Sequence, residues 1–145
     1  MSSTVTIFNS LRKYIADGTI DLDTDTIKAA LLLSTYSVSA AHTILSDVSS
    51  HEVATGSGYT TGGEALTGTV VSYSGAVATF SADPPAWTVL TKTFRYLLLY
   101  ANVTRNGVVN PLIEVILIDN TPADIVVTAT DYSVQWHASG IITIS

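Results

Sequence analysis

The stretch FRYLLLYANV, residues 94–103, decides the fold. Read as a strand, its side chains alternate between two faces. Tyr96, Leu98 and Tyr100 then share one face, and Leu97 and Leu99 the other. Neither face suits water. A strand apolar on both sides is either central in a sandwich or holds one face against another subunit.

Most of the chain around it has the same character. TIKAALLLSTY (26–36), TGTVVSYSG (67–75), AVATFSAD (76–83), PLIEVILID (111–119), DIVVTAT (124–130), YSVQWHA (132–138) and GIITIS (140–145) are rich in Val, Ile, Thr and Tyr. Gly, Pro, Asn and Asp punctuate them, which is the pattern of strands and turns. Lys28 is expected near a sheet edge. Gly75 is placed for a hairpin turn, and Asn106-Gly107 is a strong hairpin dipeptide. Strand spacing of roughly ten residues with no helix between predicts an all-β fold, mainly an antiparallel sandwich or a jelly-roll-like barrel. One β-rich domain over 1–145 is expected, and no internal repeat is visible.

Two segments depart from this pattern. Over 5–16, Ile7, Phe8, Leu11, Tyr14 and Ile15 recur at spacings of three and four, which predicts a short N-terminal amphipathic helix. Ser3 or Thr4 would be its N-cap and Gly18 its left-handed terminator. Arg12 and Lys13 in its second half suit the helix dipole. The stretch 37–63 is dominated by Ser, Ala, Thr and Gly and reads as a long loop, a kind usually functional or ordered by a partner. ADPPAW (82–87) reads as a second, rigid connection.

Composition narrows the function. Apolar residues make up 47% of 145 and charged ones only 12%, so charge-driven disorder is not expected and about two-thirds of the unfolded surface can be buried. So little charge implies a surface of Ser and Thr, or one covered by neighbours. An oligomer that hides apolar surface is expected, and a monomer in micromolar ultracentrifugation would count against it. The net charge of −6, with Arg12-Lys13 the one adjacent basic pair, argues against nucleic acid as a partner. No cysteine is present, so disulfides, thiolate metal sites and cysteine nucleophiles are excluded. The N-terminus lacks the pattern of a signal peptide, and the AALLL run at 29–33 is too short to span a membrane. Synthesis in the cytoplasm as a soluble chain, with no membrane partner, is expected.

Each candidate for chemistry has a plainer reading beside it. DLDTDT (21–26) places Asp21, Asp23 and Asp25 at alternate positions, like the opening of a calcium loop. An EF-hand starting at Asp21 needs Gly at its sixth position and Glu at its twelfth, where Thr26 and Leu32 stand. The preferred reading is the lead-in to a strand, with Ile20, Leu22 and Thr24 inward and the aspartates in water. A cation held at a subunit interface is the alternative. His51-Glu52 opens like a zinc-protease helix, but the second His position is Thr55. GSGYTTGG (56–63) resembles a phosphate-binding glycine loop with its third glycine one place late, and a flexible surface turn is preferred. No G-x-S-x-G elbow exists, and His137 is expected at a strand end with a partly solvated ring. Glu114, between Ile113 and Val115, is the acid that burial could perturb, but an outward-facing position is favoured. Trp87, Trp136 and tyrosines 59, 73, 96, 100 and 132 could form a sugar-stacking platform, and packing is preferred for them. No catalytic residue, cofactor or metal ligand is assigned.

Taken in order, NSLRKYIADGTIDLDTDTIKAALLLSTYS, SDVSSHEVATGSGYTTGGEAL, FRYLLLY, PLIEVILID and a final W-H-A-S-G-I-I-T-I resemble a family of small virion structural proteins of tailed bacteriophages. The similarity covers nearly the whole chain. Its most specific pieces are the I-D-L-D-T-D-T-I-K lead, the S-G-Y-T-T-G-G loop and the W-x-x-x-G-I ending. Members are capsid decoration (cement) or tail-associated proteins. The resemblance implies a β-rich fold, symmetric assembly and no enzymatic activity. It carries over no catalytic residue. The expected role is a cement protein on the capsid surface, bound to the major capsid protein and to its own copies as a homotrimer. The N-terminal helix or the 37–63 loop is the expected contact. The alternatives are a tail or fibre component that meets the host surface, and a carbohydrate-binding module.

Overall fold

The computed structural model describes residues 3–136 and 140–145. The chain folds as β1 (Thr4–Ile7), α1 (Leu11–Ala16), β2 (Ile27–Leu32), β3 (Glu64–Ala65), β4 (Val70–Ser74), β5 (Val77–Ser81), β6 (Ala86–Phe94), β7 (Tyr96–Ala101), β8 (Thr104–Arg105), β9 (Val108–Val109), β10 (Leu112–Leu117), β11 (Ile125–Ser133) and β12 (Ile142–Ile144). Short 3-10 turns at Leu45–Asp47 and Ser49–His51 interrupt the long connection between β2 and β3. The fold is all-β with one short helix.

Strand β7 stands at the centre of a five-stranded antiparallel sheet in the order β1-β10-β7-β2-β3. Its two faces enter two different cores. Leu97, Leu99 and Ala101 join Ile27, Ala29, Leu31, Ile113 and Ile116 beneath a second β layer that supplies Phe80, Trp87, Leu90, Phe94 and Val127. Tyr96, Leu98 and Tyr100 join Ala30, Leu32, Leu112 and Val115 on the opposite face. That face is closed by the chain's own 37–63 stretch and its neighbours, through Tyr36, Leu45, Val48 and Phe8. The double-sided strand is therefore central in a sandwich-like arrangement. Fully burying one of these leucines contributes about 1.5–3 kcal/mol.

The second layer holds the antiparallel pair β6–β11 and the sheet β12-β5-β4. Strand β6 overturns the reading of 82–87 as a connection that ends at Trp87. Its buried residues, Trp87, Leu90 and Phe94, recur at spacings of three and four, because a bulge at Val89 (φ +47°) breaks the period of two. A matching irregularity at Ala129 (φ +47°) lies in β11. The Val89 N–H is satisfied by Asp131 Oδ1 at 2.9 Å, and the Ala129 N–H by Thr91 Oγ1 at 2.8 Å. Asp131 thus serves the bulge, and 124–130 and 132–138 are not two strands: one strand runs through to Ser133. His137 and the end of the 132–138 segment lie outside the described residues.

The N-terminal helix is also shorter than expected. All four residues of Thr4–Ile7 are β-branched and pair antiparallel with Leu117–Glu114 of β10, and sheet pairing overrides the helical spacing there. The N-cap position is Ser10, not Ser3 or Thr4. Gly18 (φ +78°) follows the C-cap Asp17 as the left-handed terminator. Both expected hairpins form, with Gly75 (φ +60°) between β4 and β5, and Asn106 (φ +55°) and Gly107 (φ +75°) between β8 and β9. Lys28 lies beside the two-residue edge strand β3.

Candidate functional site

DLDTDT is a closed turn and not the start of a strand. Asp25 accepts from the Asp21 N–H (2.8 Å), Asp21 Oδ1 accepts from the Asp23 N–H (3.0 Å), and the Thr24 and Asp25 amides donate to Asp21 O. Asp25 does not face water. Its side chain is only 6% exposed, and both its oxygens accept from Arg105 at 2.9 Å. The guanidinium holds its carboxyl below the usual range. Arg105 Nη1 also donates to Thr19 O (3.0 Å), and Asn106 Nδ2 to Thr19 Oγ1 (3.0 Å). The β8–β9 hairpin is thereby clamped to the turn. Among the described residues no group of three His, Asp or Glu side chains is gathered to hold a metal.

GSGYTTGG is not a flexible surface turn. Tyr59 is buried, accepts from the Leu31 N–H (3.0 Å) and donates to Glu52 Oε2 (2.6 Å). Burial and the bond to Glu52 drive its phenol far above the ordinary value. Glu52 Oε2 also accepts from the Gly62 N–H (2.7 Å), and Tyr100 donates to Gly62 O (2.6 Å). Gly63 lies so close to Ala29 O that a Cβ there would collide with it, and a Cβ on Gly58 would come within 2.8 Å of Val89 O. The loop is a packed wedge between β2 and β6. Its Gly62 amide is committed to Glu52, which leaves it unsuited to cradle phosphate.

The other candidates are dispersed. His51 Nδ1 lies 2.9 Å from Thr35 Oγ1, and His42 Nδ1 lies 3.0 Å from Tyr36 Oη. Neither described histidine is bonded to a serine or an aspartate through these atoms. Trp87, Tyr59, Tyr96 and Tyr100 are buried in the cores, with Trp87 stacked 6.5 Å from Tyr132. Packing is their role. Glu114, read as an outward position, is enclosed. A register shift between Leu112 and Glu114 places it on the face of Ile116 and Ile118, toward the second layer.

The feature that is both coherent and exposed is the β4–β5 hairpin. Residues 71–77, VSYSGAV, are exposed throughout. Tyr73 is 84% exposed and Val70 51%. Because neighbouring residues of β4 point to opposite faces, exposure of all of them means the strand stands clear of the body on both sides. It is also an edge, paired to β5 alone. Residues 65–82 include no charged side chain. Proteins ordinarily blunt such edges with Lys, Pro or a bulge, and none of these interrupts β4. At the other edge of this sheet, Ile142 and Ile144 meet Ile7, Leu11 and Ile15 across a shallow groove of about 490 Å³. The sequence showed TGTVVSYSG and AVATFSAD as strands, but nothing in their pattern distinguishes this exposed hairpin from a buried one.

No family model, curated protein or solved structure matches this chain.

Proposed function

We propose that this protein is a structural component of a tailed-bacteriophage virion, acting as a capsid decoration (cement) protein that binds the assembled head. One observation carries the reading: an uncharged hairpin, exposed on both faces, ends in an unguarded sheet edge. Such an edge suits strand addition by a second copy or by a shell subunit. The resemblance of the Ile20–Lys28 lead and the 57–63 loop to virion structural proteins points the same way. In this reading the partners are the major capsid protein and further copies of the chain, and three-fold sites on a shell favour a closed homotrimer. Many copies that bind only the assembled shell stabilise it by mass action. The work needs covered area and no reactive centre.

The 37–63 loop is a weaker choice of contact than the hairpin, because Val48, Val53 and Tyr59 are spent on the chain's own core. The exposed ring of Tyr73 would also suit a tail or fibre component that touches a host surface. The test is cosedimentation with expanded, undecorated heads, using the natural chain and Tyr73→Lys. Saturable binding that the substitution weakens at least tenfold, with an unchanged melting temperature, supports the reading. Absence of binding by the natural chain ends the cement assignment, and gold-labelled antibody on the tail would replace it with the tail component.

A further inference from the structure

Between the β1–β10 edge and the end of β11 lies a cleft of about 400 Å³. Val5, Ile116 and Ile118 give it an aliphatic wall, and Tyr132 and Trp136 an aromatic one. Glu114 lines it as well. The residue is 1% exposed, and its Oε2 meets no hydrogen-bond donor among the described residues. Buried acceptors in folded proteins nearly always find a donor, and leaving one without is costly. The rings are already placed: Trp136 Nε1 donates to Asp83 O at 3.2 Å, and Tyr132 stands edge-on to Phe94. Among the described lining residues Tyr132 is the one other titratable side chain, and none of them is basic.

We propose that this cleft binds a primary alkylammonium group, with the stem against Val5, Ile116 and Ile118 and the ammonium donating to the Glu114 carboxylate. The choice of ligand follows from the lining. Among the described lining residues an anion meets no positive partner, in a chain whose net charge is −6. A neutral alcohol satisfies the carboxyl but gains nothing from the aromatic faces, whereas a cation is attracted by both. The source of the group is a free aliphatic amine or the side chain of a lysine, whose four-carbon stem is that of n-butylammonium. Because burial keeps Glu114 un-ionised at pH 7, the protonated carboxyl must release its proton to solvent as the ammonium arrives. One carboxylic acid and one ammonium ion become one ion pair and one released proton. The site is independent of the role proposed for the β4–β5 hairpin.

The test is isothermal titration of the full chain with n-butylammonium chloride at pH 7, in phosphate and in MOPS, neither of which carries a primary amine. Saturable one-to-one binding is expected, with close to one proton released per amine, read from the difference between the two buffers. n-Pentanol should bind at least tenfold more weakly, and Glu114→Gln should weaken the amine at least tenfold and abolish the proton release. Val5→Trp narrows the cleft from a half-exposed position and should lower affinity without lowering the melting temperature, which keeps the test open should the Gln variant fold poorly. Nα-acetyl-lysine amide separates the sources: affinity equal to the free amine supports a lysine from a partner, and affinity tenfold lower supports a free amine. Absence of saturable heat at 10 mM amine, equal affinity for pentanol, or binding without proton release would overturn the proposal.

Discussion

Raising the pH from 5 to 8.5 is expected to destabilise this fold through Glu114. Its carboxyl is enclosed on β10, and burial pushes its pKa from an ordinary 4.5 up to about 8. Below pH 4.5 the acid is protonated in the folded and the unfolded chain alike, and the fold suffers no ionisation penalty there. Between 4.5 and 8 the unfolded chain gives up the proton while the folded chain keeps it, so stability falls as the pH rises. Above 8 both states are ionised and the loss levels off. At about 1.4 kcal/mol per pH unit, that interval corresponds to a loss on the order of 5 kcal/mol. Typical domains have only about 5–15 kcal/mol in total. Asp17, Asp25 and Asp47, held below their usual values, act at the acid end: they stabilise above the unfolded value near 3.8 and lose that effect as the pH drops. The assay is urea unfolding of the natural chain and of Glu114→Gln at pH 5, 6.5 and 8.5. Taking the difference between the two proteins removes the histidines and every other shared group. The Gln variant should gain on the natural chain through this window and be the more stable of the two at pH 8.5. Parallel profiles would refute the reasoning, because they would mean the carboxyl reaches water in the folded state.

Two further substitutions test the packing of the loops. Gly63→Ala and Gly75→Ala both place a side chain on left-handed backbone, but Gly63 abuts Ala29 O while nothing lies within 4 Å of Gly75. Urea unfolding should show a loss of about 1 kcal/mol at Gly75 and about 2–4 kcal/mol at Gly63, and equal losses would remove the wedge from the argument. Arg105→Met removes the clamp on Asp25 and should lower stability modestly, because solvent around the guanidinium screens the pair. Its effect should fade as the pH falls through the lowered Asp25 value and the carboxyl protonates, and amide exchange at Thr24 and Asp25 should quicken; unaltered exchange would show that the turn holds without the hairpin.

Much of the fold was legible because the central strand has no ambiguity to resolve. Tyr96–Ala101 is apolar in both phases, which fixes a buried position, and Asn106-Gly107 and Gly75 fix two hairpins by backbone conformation alone. Illegibility begins where a bulge changes the period. Trp87, Leu90 and Phe94 mimic helical spacing because Val89 interrupts the strand, and Asp131 looked like a break because its bond to the Val89 N–H joins residues 42 apart in sequence. Glu114 was misassigned for a different reason: a lone acid in an apolar strand suggests a position that faces water, whereas both faces of β10 are covered and the register shift turns Glu114 toward the second layer. Among the candidate sites, DLDTDT could be cleared of an EF-hand from sequence, but the partner of Asp25 is Arg105, and no local pattern names a partner that distant. Exposure of β4 was equally hidden, since apolar alternation records fitness for a sheet and not the depth at which the sheet lies.

How this chain treats its edges bears on what it does. Where β6 and β11 pair, bulges at Val89 and Ala129 are each tied down by a side chain, Asp131 and Thr91. Strand β1 covers the outer side of β10, and the two-residue β3 covers β2. The chain therefore has the means to protect a strand, and it applies them in several places. Strand β4 receives none: it has no charge, no proline and no bulge, and side chains exposed on both faces. A bare edge of this kind invites indiscriminate aggregation unless a specific strand occupies it. The absence of guards in a chain that uses them elsewhere is consistent with an edge kept open for a partner. Low overall charge fits the same account, since repulsion between copies would oppose the close approach that strand pairing requires.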